Sequence, residues 1–334
     1  MKKSKYFHSN SLDVTVLIPT HNRAEELRRT LVKMKAVHVR SLSVEFVIID
    51  NGSTDNTRSI VASFSEGLPI RYLFESRPGK NCALNFALVE APIGEIVVFT
   101  DDDIDPDPNW LNAIVDISKR WPKHSVFGGR INVVWPHDSI PEWAKDPHIQ
   151  MLGFTAHNIS DCECVYDERS FPFGPNFWVR RHIIADGLRF DESIGPRPKN
   201  RIMGSESSFL LRLRGHGYEF VYSPHSIVGH RIQPETLTAI GIWRRAYRLG
   251  RGFSHYLGIP DMEQLKKHSL MWRLKRCSII IRQMIRVFIV LLSPFSDQRV
   301  PRSVRLIENI GFNIESLHMA RDETVIGLGK DTDT

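Results

Sequence analysis

The sequence predicts an α/β fold in which a mostly parallel sheet is flanked by helices and followed by a helical C-terminal extension. Between Val14 and about Thr100, short apolar runs alternate with helix-like segments. Each run ends in polar, glycine or aspartate residues, as strands feeding functional loops do. Past about Pro234 the pattern turns helical and basic.

The runs Val14–Ile18, Val44–Ile49 and Ile96–Thr100 carry few charges, as expected of strands covered by helices on both faces. Between them, Ala24–Lys35, Thr54–Phe64 and Lys80–Val89 read as crossover helices, with Ser53 or Thr54 capping the second. A further helix is expected from near Pro108. Trp135–Pro172, irregular in its aromatic, proline and histidine content, reads as a long loop or lid. Trp272–Phe295 contains the apolar run Cys277–Leu292, which Arg282, Gln283 and Arg286 make too short and too charged to span a bilayer. Its basic flanks, Lys266, Lys267, Arg273, Lys275 and Arg276, match a helix lying in a membrane interface; a helix packed on the catalytic domain or a second subunit reads the same way. The closing Lys330–Thr334 is expected to fray.

With 334 residues the chain can hold one large domain, or a domain with a helical appendage. Its 42% hydrophobic and 25% charged residues exclude both a disordered and a fibrous chain. A net charge of +6 favours an anionic partner: a phosphate-bearing substrate, a nucleic acid or a membrane face. Cys82, Cys162, Cys164 and Cys277 form no CxxC pair and fit free thiols of a reducing compartment, with Cys162-Glu163-Cys164 an ordinary loop. Lys2, Lys3 and Lys5 lead into polar His8–Ser11 rather than the apolar core of a signal peptide, so a cytoplasmic location is expected.

In open α/β sheets ligands gather at the carboxyl ends of the strands. After the last of these runs come Asp101, Asp102 and Asp103. Three adjacent carboxylates repel one another, and a divalent cation such as Mg²⁺ or Mn²⁺ removes that cost. A solvated acidic turn capping the next helix is the plainer alternative. Asp50, at the end of Val44–Ile49, suits an acceptor for a ribose hydroxyl or a base N–H, or equally a turn-forming aspartate.

Pro19-Thr20-His21-Asn22-Arg23, the Asp50–Asp55 turn, Lys80-Asn81-Cys82-Ala83-Leu84-Asn85 and Phe99–Asp103 together resemble the bacterial family 2 glycosyltransferases with the Rossmann-like GT-A fold. The likeness covers about residues 12–250, with the motifs in family order and near family spacing. It implies a nucleotide-sugar pocket of Pro19, Thr20, Arg23, Asp50, Lys80, Asp101 and Asp102. It makes Asp101 and Asp103 the DxD pair, with Asp103 as the direct metal ligand. It also implies a transferase domain at 12–235 and an extension at 236–334.

The second half adds further likenesses. Phe173–Asn176 followed by Arg180 and Arg181 resembles the family's acceptor-side loop, and Gly204–Arg212 its Gly-Glu-Asp helix. Here the usual Glu-Asp pair is Ser205-Glu206, so Glu206 alone remains as the implied catalytic base; a helix-surface role is its alternative. His230 matches a histidine near the metal or the pyrophosphate. Asn176 and Arg245 match acceptor-side or phosphate positions, although the basic helix Thr236–Gly252 that carries Arg245 could present a solvated face.

The implied activity is inverting, metal-dependent transfer of a sugar from a nucleotide-sugar to a hydroxyl of a saccharide or lipid-linked acceptor, in cell-surface glycan or polysaccharide synthesis. The implied place is the cytoplasm, peripheral at the inner membrane face. A nucleotidyltransferase would need a glycine-rich loop after its first strand, and Pro19–Arg23 contains no glycine. A sugar-nucleotide-binding protein without catalysis is the other alternative, resting on Ser205. No recognisable nucleic-acid-binding module is present.

Overall fold

The computed structural model describes residues 12–39, 42–195, 202–258, 260–293 and 296–328; the N-terminal lysines with the polar stretch after them, Asn200 and Lys330–Thr334 lie outside these. In chain order the regular elements are β1 (Val14–Thr20), α1 (Ala24–Met34), β2 (Val44–Asp50), α2 (Thr57–Phe64), β3 (Ile70–Phe74), α3 (Lys80–Glu90), β4 (Ile96–Phe99), β5 (Ile104–Pro106), α4 (Trp110–Arg120) and β6 (Val126–Val134). A 3-10 turn at Glu142–Lys145 and α5 (Pro147–Phe154) follow, then β7 (Cys164–Val165), a 3-10 turn at Gly174–Asn176, β8 (Phe177–Arg180) and α6 (Arg181–Ala185). The chain continues through α7 (Ser205–Gly215), β9 (Phe220–Arg231), α8 (Ala239–Leu257), α9 (Met262–Lys267), α10 (Ser269–Leu291) and α11 (Ser296–Leu328).

Two compact units share these elements: residues 12–135, 155–195 and 205–231 form one, and residues 136–154, 202–204 and those from Ile232 onward form the other. In the first unit the strands make one sheet in the order β3-β2-β1-β4-β8-β6-β9-β5, with β7 on β9. It is parallel through β3-β2-β1-β4 and mixed beyond, where β8 runs antiparallel to β4 and β6.

Strand alternation sends successive side chains to opposite faces, and both faces are covered. Val14, Val16, Ile18, Phe46 and Ile48 pack with Leu27, Leu31, Trp110 and Ile114 on one side. Leu17, Val47, Ile49, Val97 and Phe99 pack with Ala83, Leu84, Leu210 and Leu213 on the other. Thr15 is buried in β1 without penalty, because its hydroxyl donates to Pro92 O and accepts from Gly94 N.

Three expectations are corrected locally. The second crossover helix starts at Thr57, and Asp55 Oδ1 accepts from the Thr57 amide and hydroxyl. Ser53 and Thr54 bond instead to Asn22, and Asp55 Oδ2 reaches the Ala24 amide at the start of α1. Two of the sequence motifs thus staple each other, with Asn22 at φ 51°. The aspartate row does not cap the next helix: β5 intervenes, and Asp107 Oδ1 takes the Asn109 amide. Within 135–172 the chain is more regular than a loop, with α5, β7 and a bridge between His157 and Ile131.

Near Gly129 three residues of β9 bulge out of register with β6. A Cβ on Gly129 would lie 2.3 Å from both Asn176 Nδ2 and Ser226 O, so only glycine lets the strand come this close.

In the second unit α8 and α11 approach closely. A Cβ on Gly250 would lie 1.8 Å from the Glu308 carbonyl oxygen, and one on Gly311 2.3 Å from that of Tyr247. Thr238 Oγ1 caps α8 by accepting from the Gly241 amide. No helix among the described residues is long and apolar enough to cross a membrane.

Candidate functional site

Strands β1 and β2 end in register, Thr20 beside Asp50, and the aspartate row follows β4 at the same edge. Parallel pairing therefore gathers residues that lie far apart in sequence. Pro19 pairs with Ile49 in this register and is buried, as is Thr20, which ends β1.

Two clusters share the aspartate row. In the first, Thr20 Oγ1 donates to Asp102 Oδ2 at 2.7 Å, and Arg23 forks across two carboxylates, Nη1 to Asp102 Oδ1 at 2.7 Å and Nη2 to Asp103 Oδ2 at 2.9 Å. Burial pushes the Asp102 carboxyl up, to about 7; Arg23 opposes that shift and Asp103 adds to it. For Asp103 burial acts in the same sense, but His230 and Arg23 outweigh it and hold the carboxyl below its ordinary value.

His230 arrives through the antiparallel β5–β9 pairing, opposite Ile104. Its Nε2 stands 3.5 Å from Asp103 Oδ1, a buried oxygen with no hydrogen-bond partner. Among the described residues no three His, Cys, Asp or Glu side chains converge as a ready-made metal cage. Asp103 Oδ1 and His230 Nε2 nevertheless fit an ion that takes one carboxylate and one imidazole from the protein and its other ligands from phosphate and water.

In the second cluster Lys80 Nζ bridges Asp101 Oδ1 at 2.5 Å and Glu206 Oε1 at 2.6 Å. Burial alone would lower the Lys80 pKa, but the two carboxylates outweigh it and raise it, which keeps the ammonium charged. Ser205 Oγ donates to Glu206 Oε2 at 2.7 Å. The departure from the usual acidic pair thus puts a hydrogen bond on the remaining carboxylate. Gly174 leaves room for it, since a Cβ there would lie 3.0 Å from the Glu206 carboxyl.

Asp50 is buried, with Oδ2 accepting from Tyr72 Oη at 2.7 Å and Oδ1 from the Ser53 amide at 2.7 Å. Burial and then the bond to Asp50 push the Tyr72 phenol up to about 12.

Sequence reasoning missed several supporting residues. Tyr72 lies on β3, a half-buried strand at the sheet edge, where Arg71 breaks the apolar run. Asn51 gives Nδ2 to Glu75 O and Arg77 O and takes the Gly79 amide on Oδ1, which fixes the start of α3 and so the root of Lys80. Arg231 bonds Ile104 O, Glu26 O and Thr30 Oγ1, and ties α1 to the strand behind the aspartates. Its signal was available as the residue next to His230.

Asn176 and Arg245, expected on the acceptor or phosphate side, both donate to backbone carbonyls. Asn176 is wholly buried; its Oδ1 accepts from Trp110 Nε1 and its Nδ2 donates to Arg130 O and Ser226 O. Both donors of its amide are used and Oδ1 accepts one bond, so the side chain holds the Gly174–Asn176 turn in place. Arg245 belongs to the second unit, where Nε donates to Leu152 O.

The sequence profile described as Glycosyl transferase family 2 matches residues 15–184. Glycosyltransferase AglE of Haloferax volcanii is 26% identical over 243 residues, 72% of this chain and 72% of that protein. Probable glycosyltransferase YdaM of Bacillus subtilis is 24% identical over 272 residues, 80% of this chain and 60% of that protein. Among solved structures, mannosyltransferase PcManGT from Pyrobaculum calidifontis, in complex with GDP-Man and Mn²⁺, matches with a TM-score of 0.57 at 17% identity, over 95% of this chain and 90% of that one. At that identity the likeness is one of GT-A fold.

Proposed function

The chain belongs to glycosyl transferase family 2 and transfers sugar from a nucleotide-sugar, and from that premise we propose an inverting, divalent-metal-dependent transfer to a hydroxyl of a saccharide or lipid-linked acceptor. The observation that carries this reading is the aspartate row, with Lys80 and Glu206 at Asp101 and with Arg23 and His230 at Asp102 and Asp103. The Mn²⁺ and GDP-Man of PcManGT support a diphosphate-linked donor accompanied by a divalent ion.

In this reading Asp50 accepts from the base or ribose, and Tyr72 and Ser53 hold it in place. Thr20 and Arg23 fix the aspartates against mutual repulsion. Asp103 and His230 hold Mn²⁺ or Mg²⁺, which when bound neutralises charge on the diphosphate. Lys80 adds positive charge where the leaving group departs. Glu206 accepts the proton of the acceptor hydroxyl, since each carboxylate oxygen has lone pairs beyond those given to Lys80 and Ser205. A single in-line displacement inverts the anomeric carbon.

We assign the transfer to residues 12–235, in the cytoplasm and in service of surface glycan or polysaccharide synthesis, with residues 236–334 as a helical extension. The test is release of nucleoside diphosphate from a panel of donors with Mn²⁺, with Mg²⁺ or with chelator, and the anomeric configuration of the product by NMR. Turnover with one donor that chelator and Asp103→Ala both abolish, and a product of inverted configuration, are expected. Full activity in chelator would sink the metal assignment, and a retained configuration would sink the single displacement.

A further inference from the structure

Helix α10 has two unlike faces. On one, Trp272 is buried with Nε1 donating to Pro260 O, and Arg276 is buried against Asn313 and Asp261. That side is packed against the chain around Pro260 and against α11. On the other, Leu270, Leu274, Ile281, Ile285, Phe288 and the capping Leu292 recur at helical spacing, each more than half exposed. More than half of the large apolar side chains exposed among the described residues lie on this helix and its C-cap. A stripe of this length is far from the scattered apolar exposure of an ordinary surface.

The charges identify the cover. The helix SLMWRLKRCSIIIRQMIRVFIVL contains no acidic residue. At about 100° per residue, the exposed Arg282 and Arg286 fall along one border of the apolar face, together with Lys275, which pairs with Asp261 at 3.2 Å. A second copy of α10 would bring no carboxylate to that border. An anionic headgroup layer brings many, and the long cationic side chains reach it while the apolar face sinks below. Crossing the bilayer would drag Arg282 and Arg286 into hydrocarbon, so the helix lies flat.

We propose that α10 docks the protein on an anionic lipid surface through the Leu270–Leu292 face, with Arg282 and Arg286 at the headgroups. This goes beyond the transfer reaction, and its test reads binding rather than turnover. The full chain is sedimented with phosphatidylcholine vesicles and with vesicles containing about a third phosphatidylglycerol, and is sized by light scattering. Wild type is expected to sediment with the anionic vesicles and to stay in solution with the neutral ones. Arg282→Gln and Arg286→Gln are each expected to weaken binding by about fivefold, and added salt to do the same. Ile281→Gln with Phe288→Gln changes exposed positions only; it is expected to abolish binding and leave the circular dichroism spectrum unchanged. Equal binding to neutral vesicles, no binding to either, or a dimer that Ile281→Gln with Phe288→Gln converts to monomer would each overturn the proposal, the last in favour of a second copy.

Discussion

Lys80 and Glu206 lie 126 positions apart and meet in a 2.6 Å ion pair, with Asp101 on the other side of the same ammonium at 2.5 Å. All three side chains are mostly shielded from water. Removing one partner of a shielded pair leaves an uncompensated charge, which costs roughly 3–5 kcal/mol when burial is complete and less here. Lys80→Met is therefore expected to lower kcat by about 10²-fold or more, through lost charge at the leaving group and a displaced Glu206. Lys80→Arg should recover part of it. Steady-state kinetics on both variants check this, and a Lys80→Met enzyme with wild-type kcat would refute the assignment.

Glu206→Gln keeps the size and the bond to Ser205 but cannot take a proton. A fall in kcat of about 10²–10⁴-fold is expected, with the KM for donor little changed. Ser205→Ala removes one hydrogen bond to the carboxylate, of order 1 kcal/mol, so a milder loss of about fivefold is expected. If both variants lose activity equally, Ser205 does more than orient Glu206.

Tyr72→Phe tests the Asp50 assignment. Asp50 is buried and loses one of its two side-chain bonds, so the KM for donor should rise about fivefold while kcat holds. Fluorescence titration with nucleoside diphosphate measures the same loss without turnover. An unchanged nucleotide affinity would separate the Tyr72–Asp50 pair from the nucleotide.

Asn176→Ala is expected to act on stability. It strips three hydrogen bonds from a site with no solvent access and leaves Trp110 Nε1, Arg130 O and Ser226 O without this partner. A loss of about 2–4 kcal/mol follows, measured by urea unfolding. A stable variant with a selectively raised acceptor KM would place Asn176 on the acceptor side.

The candidate site was legible wherever a motif coincided with a strand end. Thr20, Asp50 and Asp101–Asp103 follow apolar runs that the sequence shows directly, and the parallel register brings them together. Tyr72 was not legible, because β3 is half-buried and its period-2 pattern is weak. Asn51 was hidden inside a stretch that reads as a turn, while its side chain spans to Gly79. The β5–β9 pairing that sets His230 beside Asp103 joins residues over 120 positions apart, which no local pattern encodes. Asn176 shows the opposite limit: motif order located the turn, but only packing shows that its amide faces inward.

Glu308 on α11 gives the pH dependence a sign. It lines a cavity of about 390 Å³ in the second unit with His148, Phe253 and Arg305. Burial raises its pKa from 4.5 to about 7, against the pull of Arg305. The folded chain therefore holds a proton that the unfolded chain releases between pH 4.5 and 7, so this group makes stability fall as pH rises through that window. The full shift corresponds to roughly 3 kcal/mol, and partial access to water reduces it. Glu308→Gln removes the titration. Its Tm is expected to match wild type at acid pH and to exceed it by several degrees at pH well above the shifted value, in an otherwise identical thermal melt. A difference that stays constant across the range would place the carboxyl in contact with more solvent or charge than its surroundings on α5, α8 and α11 provide.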